Sequence, residues 1–388
     1  MRSDGASLNA LNLAGTSLPS LQLRADLQAA AAEAQALIPP PPTPYTPNWT
    51  VDPLDPPPPF AHLAAASPAH ADLAAALAAG GGRLDFSDPA AVAALSRALL
   101  MRRFRLDGWT CPVGALVPPI AARAAYLRRM GLIVGGGSPP PRSLAVLDVG
   151  CGANLIFPLL AASPVFGWSA TGLDVTPAAL AGAAANLALN SSLAGRVRLV
   201  AGDPAGRPPI LEPVFGAGAS WAAAAAAAGD ARFPFDFSVC NPPFFESAAA
   251  RAATAKDPGA PRGGGHAGSA AETVWEGGGE AGFVCALAAE SAGHAHRVTW
   301  WSSMLGRKAS LTAVRGVLKG LSPAPEVRTF TLAEGGGRTT RWVVAWSWVA
   351  AEASLAGGRK RRGGEGGGGD GGAAAGGGKE RRAGLGRE

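Results

Sequence analysis

A chain of 388 residues has room for one large domain or two ordinary ones, but its 53 glycines and 34 prolines imply that part of the length enters no core. The formal charge of +6 is uneven: residues 357–388 carry eight Lys/Arg against four Asp/Glu, and the remaining charge of about +2 gives no ground for a globally basic nucleic-acid-binding body. Cys111, Cys151, Cys240 and Cys285 are dispersed with no Cys-x-x-Cys, which excludes a disulfide frame or zinc site and reads as reduced, buried intracellular thiols. No apolar run approaches the ~18 residues of a membrane span, and no secretory signal is expected.

Residues 1–54 read as a disordered leader: an Ala-rich helical stretch from Leu21 to Leu37 is closed by Pro39-Pro40-Pro41-Pro42. An organelle transit peptide is the alternative there, with Asp4, Asp26 and Glu33 against it. From 55 to 140 the pattern is a helical module. Asp88 caps a helix whose first residue is Pro89 and which runs to Phe104, and a second helix is expected from Pro119 to Met130, ending at Gly131. Arg97, Arg102, Arg103, Arg105, Arg123, Arg128 and Arg129 lie in this module with Asp107 the one nearby acid. They read equally as phosphate contacts or as a solvated helix face.

Residues 141–350 alternate strand and helix. Strands are expected at 144–149, 168–175, 196–200, 235–240, 297–302, 327–331 and 342–348, and a helix at 177–190, which together indicate a doubly wound α/β domain. Residues 204–231, with their alanine run, read as a low-complexity insertion. Trp300, Trp301, Trp342, Trp346 and Trp348 read as core rather than as base-stacking residues. His294-Ala295-His296 lacks an acid or thiol partner, so no metal is expected. Residues 351–388 read as a disordered Gly/Arg-rich tail, in which Arg359-Lys360-Arg361-Arg362 suits a nuclear localisation signal or a nonspecific RNA clasp.

Two motifs carry chemistry. Asp148-Val149-Gly150-Cys151-Gly152 follows the first strand of the domain, where glycines let a ligand approach the backbone. Leu155 stands where a dinucleotide fingerprint has its third glycine. The loop with Asp148 therefore suits S-adenosylmethionine, which has no phosphate to cradle, and Asp174 at the end of the next strand is placed for ribose hydroxyls. A strand-end turn is the plain alternative for the glycines alone. The second motif is Asn241-Pro242-Pro243-Phe244-Phe245, after the apolar run 235–240. An exocyclic amine such as adenine N6 is a poor nucleophile until two acceptors take its hydrogens and aim its lone pair. The Asn241 amide oxygen and the Pro242 carbonyl can do this, Pro243 holds Pro242 extended, and Phe244 offers a stacking face. A Pro-Pro turn with both phenylalanines in the core is the alternative.

From Asp55 to Trp348 the chain resembles the adenine-N6 RNA methyltransferases that act on U6 small nuclear RNA and certain messenger hairpins, a family with bacterial relatives that modify large-subunit ribosomal RNA. The resemblance rests on Asp88–Val92, Leu147–Asn154, Asn241–Phe245, Glu276-Gly277-Gly278, Trp301–Lys308 and Gly337–Trp342, the last two closer to the eukaryotic branch. It implies a Rossmann-like, seven-strand class I methyltransferase domain using S-adenosylmethionine, behind a helical RNA-binding module, in the nucleus or also the cytoplasm. Carried over by position, Arg123 meets the cofactor carboxylate, Gly150, Gly152 and Asn154 line its pocket, Asp174 holds the ribose, and Asn241 and Phe244 hold the target adenine. Lys256 and Arg262 match a basic RNA-gripping loop. Arg338 and Arg341 read as RNA contacts or as exposed structural arginines. The implied partner is structured RNA, U6 small nuclear RNA or ribosomal RNA, with no membrane. Two other readings stay open: methylation of a protein glutamine side chain, for which Asn-Pro-Pro motifs also serve, and an RNA-binding scaffold with an idle pocket.

Overall fold

The computed structural model describes residues 59–140, 143–203, 208–216, 235–256, 270–334 and 339–349. The leader 1–54, most of the insertion 204–231, Arg262, Arg338 and the tail 351–388 lie outside the described residues.

Seven strands form one sheet: β1 (Ala145–Val149), β2 (Ser169–Asp174), β3 (Val197–Ala201), β4 (Phe235–Cys240), β5 (Val298–Leu305), β6 (Glu326–Glu334) and β7 (Thr339–Ser347), in the order β3-β2-β1-β4-β5-β7-β6. The pairs β2–β3, β1–β2, β1–β4 and β4–β5 are parallel; β7 runs antiparallel to both β5 and β6. β1 is buried at all five positions, as expected for a strand covered on both faces. Val146 turns to one apolar layer, while Ala145, Leu147 and Val149 turn to the other.

Three short helices open the described chain: α1 (Phe60–Ala65), α2 (Ala71–Ala79) and α3 (Pro89–Phe104). Leu63, Leu73, Leu77, Leu95 and Ala98 form their shared cluster, while Leu100 and Phe104, at the far end of α3, join the layer on the sheet. Asp88 caps α3 as expected, its Oδ1 accepting from Ala90 N at 2.9 Å. α4 (Ile120–Val134) runs past Gly131, where a stop was expected. Its end comes at the Gly135-Gly136-Gly137 run, with Gly135 N donating to Gly131 O and Gly137 N to Leu132 O. Buried Leu127, Met130 and Tyr126 hold that last turn to the sheet, and the packing outweighs the small helix cost of one glycine. Asp107 is not the only acid near the arginines: Asp72 of α2 pairs with Arg97 at 2.6 Å.

The remaining helices are α5 (Ile156–Ala162), α6 (Pro177–Ala188), α7 (Glu212–Phe215), α8 (Ala248–Lys256), α9 (Ala270–Thr273), α10 (Gly279–Ser291) and α11 (Lys308–Gly320). Trp301 and Trp346 are fully buried and Trp300 and Trp348 nearly so, as read from the sequence; Trp342 packs with Trp301, Trp346 and Trp348 in one apolar layer, and Trp300 enters the other. Trp346 and Trp348 both donate through Nε1 to Ser291 Oγ, at 2.9 and 3.1 Å, so these two indoles enter the core with their polar atoms satisfied, whereas Trp301 Nε1 finds no acceptor among the described residues.

Candidate active site

The strand order reverses between β1 and β4, which is where an open α/β sheet leaves a crevice at its carboxyl edge. Val149 of β1 is in register with Cys240 of β4. The next residues, Gly150 and Asn241, therefore leave neighbouring strands side by side, with strands spaced about 4.8 Å apart. Two motifs ninety residues apart in sequence meet at one edge.

The glycine loop is held on its inner side by backbone bonds. Gly150 N and Cys151 N both donate to Leu173 O at 2.9 Å, and Gly152 N donates to Asp174 Oδ2 at 2.8 Å. Gly150 and Gly152 adopt φ of +84° and +62°, which a side chain resists, and a Cβ at Gly150 would meet nothing within 4 Å. The loop thus presents bare backbone to open space. Asp174, almost wholly buried at the end of β2, also accepts from Thr176 N and Oγ1, both at 3.0 Å, so its carboxylate is fixed before any ligand arrives. The Asn154 side chain is used in the structure as well: Nδ2 donates to Leu116 O at 3.1 Å and Oδ1 accepts from Ile156 N at 3.1 Å, at the start of α5.

Asp148 is fully buried behind the loop, and neither carboxyl oxygen has a hydrogen-bond partner among the described residues. Burial, reinforced by the nearby Asp174 charge and opposed by Arg123, pushes its pKa well above the usual carboxylate range. Arg123 reaches in from α4. It is 4% exposed, with Nη1 2.9 Å from Met304 Sδ and its guanidinium 5.7 Å from the Phe157 ring centre.

On the other side, Asn241-Pro242-Pro243-Phe244 continues from β4. Asn241, Pro243 and Phe244 are part-exposed and Pro242 is buried. Neither the Asn241 side chain nor the Pro242 carbonyl carries a hydrogen bond to another described residue. The segment is pinned just beyond: Phe245 N donates to Thr273 O and Trp275 N to Phe245 O, both at 2.8 Å. Phe245 is buried and Phe244 stands edge to its ring at 6.5 Å, so only one of the two phenylalanines enters the core.

A cleft of about 790 Å³ joins these parts. Its wall includes Arg123, Gly150, Gly152, Asn154, Asp174, Asn241, Pro242, Pro243 and Phe244, which are all the expected catalytic and cofactor residues except Asp148, placed just behind it. Of the expected RNA-contacting residues, Arg262 and Arg338 lie outside the described residues, and Arg341 is not among the described wall residues. Arg341 is half-buried, with Nη1 2.8 Å from where a Cβ on Gly306 would stand and Glu280 beside it. Lys256 ends α8, and its side chain lies outside the described residues. Wall residues missed in the sequence include Glu272, whose Oε1 lies 4.0 Å from a Gly152 Cβ position, Trp275 and Pro208-Pro209-Ile210. Trp275 directly precedes Glu276-Gly277-Gly278 and was within reach of that motif; Glu272 and the proline pair carried no local signal.

Arg123 is the one basic residue among the described wall residues, so the cleft is not built for a polyphosphate. One buried guanidinium for a carboxylate, a fixed acid for hydroxyls, open backbone at Gly150 and a buried unpartnered carboxyl all suit a nucleoside that ends in a charged amino acid. Burial raises the Cys151 and Cys240 thiols far above their usual range, so neither supplies a thiolate nucleophile. The work left to this site is positioning.

Fold and cleft together define a class I methyltransferase. Residues 55–350 match the profile of a family described as RNA methyltransferase, and the chain belongs to that family. Ribosomal RNA large subunit methyltransferase F of Dechloromonas aromatica (strain RCB) is 32% identical over 303 residues, covering 74% of this chain and 83% of its own. The enzyme of the same name from Yersinia enterocolitica is 31% identical over 285 residues, with 70% and 79% covered. Among solved structures, the human METTL16 catalytic domain in complex with MAT2A 3′UTR hairpin 1 is 29% identical, with a TM-score of 0.59 over 76% of this chain and 92% of that one. The N-terminal domain of human METTL16 in complex with SAH is 27% identical, with a TM-score of 0.56 over 76% and 96%.

Proposed function

We propose that this RNA methyltransferase methylates adenine N6 in structured RNA, with U6 small nuclear RNA the first substrate to test and the nucleus its place of action. The observation that carries the reading is the register of Val149 with Cys240, which brings the glycine loop and the Asn241–Phe244 segment into one cleft. The resemblance of Trp301–Lys308 and Gly337–Trp342 to the eukaryotic branch of the family supports the choice of U6. Human METTL16 bound to an RNA hairpin, and relatives named for ribosomal RNA, support a structured RNA partner.

The cofactor is S-adenosylmethionine, which supplies an electrophilic methyl group. Arg123 would hold its carboxylate, Gly150 and Gly152 would give it backbone contact, Asp174 would take the ribose hydroxyls and the unpartnered Asp148 would stand behind the loop that receives it. Asn241 Oδ1 and the Pro242 carbonyl accept the two amino hydrogens of the flipped adenine, and Phe244 stacks on its ring. With no partner among the described residues competing for Asn241 or Pro242, both acceptors are available to the base. Catalysis comes from orienting the amine lone pair, and effective molarities from such positioning are worth about 7 kcal/mol or more when alignment is good.

The test is partition of label. Methyl-labelled S-adenosylmethionine is incubated with the protein and either total RNA or total protein. Label in RNA supports the proposal, label in protein glutamine supports the protein-modifying alternative, and no transfer to either leaves the RNA-binding scaffold.

A further inference from the structure

The far side of the glycine loop ends in two consecutive carbonyls that a loop facing a ligand would otherwise leave to solvent. Ala153 O accepts from Asn186 Nδ2 at 3.0 Å, and Asn154 O accepts from the Trp109 indole Nε1 at 2.9 Å. Both donors are buried, Trp109 at 1% exposure and Asn186 completely.

Neither donor acts alone. Asn186, on α6, also brackets Thr110, accepting from its N at 2.8 Å and donating to its carbonyl at 2.9 Å. One turn later Asn190 does the same for 107–108: its Oδ1 accepts from Asp107 N at 2.8 Å and its Nδ2 donates to Gly108 O at 2.8 Å. The Trp109 carbonyl is taken by Arg97 Nε at 3.1 Å, and Arg97 Nη1 pairs with Asp72 at 2.6 Å. An unbroken polar chain therefore runs from α2 through α3 and Trp109 to the loop that borders the cofactor cleft, where Asn154 lies.

We infer that Trp109 is a positioning residue, which sets the shape of the Gly150–Asn154 loop through the Asn154 carbonyl and so makes cofactor affinity depend on the docked amino-terminal helices. Pinned at Leu173 and Asp174 on one side and at Trp109 and Asn186 on the other, the loop has its ligand-facing backbone fixed in advance. Preorganisation of this kind lowers the ordering cost of binding. Trp109 touches no reacting atom, so its effect falls on cofactor binding rather than on the chemical step. The inference rests on the methyltransferase reading for the identity of the ligand.

The test uses Trp109→Phe, which keeps an aromatic ring and deletes the donor, and Arg97→Gln, which acts from a half-exposed position and leaves the core intact. S-adenosylhomocysteine binding to the full chain is measured by calorimetry, with KM for S-adenosylmethionine and kcat at saturating cofactor alongside. Loss of one buried hydrogen bond is expected to weaken binding about 5- to 10-fold in Trp109→Phe and at least about twofold in Arg97→Gln, with KM rising in step and kcat unchanged. A general loss of packing would lower the melting temperature without this split. A folded Trp109→Phe that binds S-adenosylhomocysteine like the wild type overturns the inference. If that variant does not fold, wild-type affinity in Arg97→Gln overturns it. A wild-type chain that binds no S-adenosylhomocysteine overturns the cofactor reading and the inference together, whereas unchanged variants of a binding-competent wild type overturn the inference alone.

Discussion

Asn241 lines the cleft and its side chain bonds to no other described residue, which leaves its amide available to a ligand under the proposed reading. Asn241→Ala removes an acceptor needed only when an amine is being aimed. Single-turnover methylation is expected to fall about 100-fold or more while S-adenosylhomocysteine affinity changes little. Phe244→Ala should instead weaken RNA, raising its KM about 5- to 100-fold, as loss of one stacked base contact implies. Asp148 gives a pH signature. A carboxyl whose pKa rises on folding holds its proton more tightly in the folded state, so stability is lost as pH climbs above the unfolded value of about 3.9 and falls until the folded group ionises. Ligand-free Asp148→Asn is therefore expected to melt above the wild type at pH 8, with the gap closing toward pH 4 in calorimetric scans. The same change should weaken cofactor binding if the buried carboxyl serves the ligand as proposed.

At the scale of elements, the loop after β5 shows how one side chain fixes a helix start. Glu280, 4% exposed on α10, accepts from Gly306 N at 2.7 Å, Arg307 N at 3.0 Å and Ser310 Oγ at 2.7 Å, at the beginning of α11. Glu280→Ala removes the acceptor of one buried and two part-buried donors and should cost about 1–3 kcal/mol in urea unfolding, with Glu280→Gln recovering part of it. The sequence marked this region through Glu276-Gly277-Gly278, yet the acid used here is the one after the next glycine. Helix starts such as Asp88-Pro89 and the apolar strands were legible because their signals are local. The run of α4 past Gly131 was not, because buried Tyr126, Leu127 and Met130 decide it from across the fold. Asn186 is a local signal of such a contact: an asparagine inside an alanine-rich helix costs stability unless something is bonded to it.

At the scale of the molecule, the glycine loop and the Asn-Pro-Pro-Phe segment were both legible as strand-end motifs, and their meeting follows from the strand order. In a sheet ordered β3-β2-β1-β4-β5, the reversal falls between the two strands that carry them. Partners gathered from several distant segments, such as Glu272 against Gly152 or Trp109 on Asn154, follow from no single stretch of sequence and needed the fold. The modest charge of the chain outside its tail fits a protein in which shape and a clamp on one base contribute more to selectivity than a broad basic surface. Adding salt should accordingly weaken RNA binding with a shallow slope, equivalent to few phosphate contacts, in a titration of hairpin affinity against salt.

The central claim is that the cleft aims one exocyclic amine at one methyl group. It is tested most directly by incubating the protein with deuteromethyl S-adenosylmethionine and a structured RNA such as U6, then digesting the RNA to nucleosides for mass spectrometry. The account predicts the heavy methyl on adenosine N6, lost in Asn241→Ala. A heavy methyl on another base, on a ring nitrogen or on ribose, or one that persists in Asn241→Ala, would contradict it.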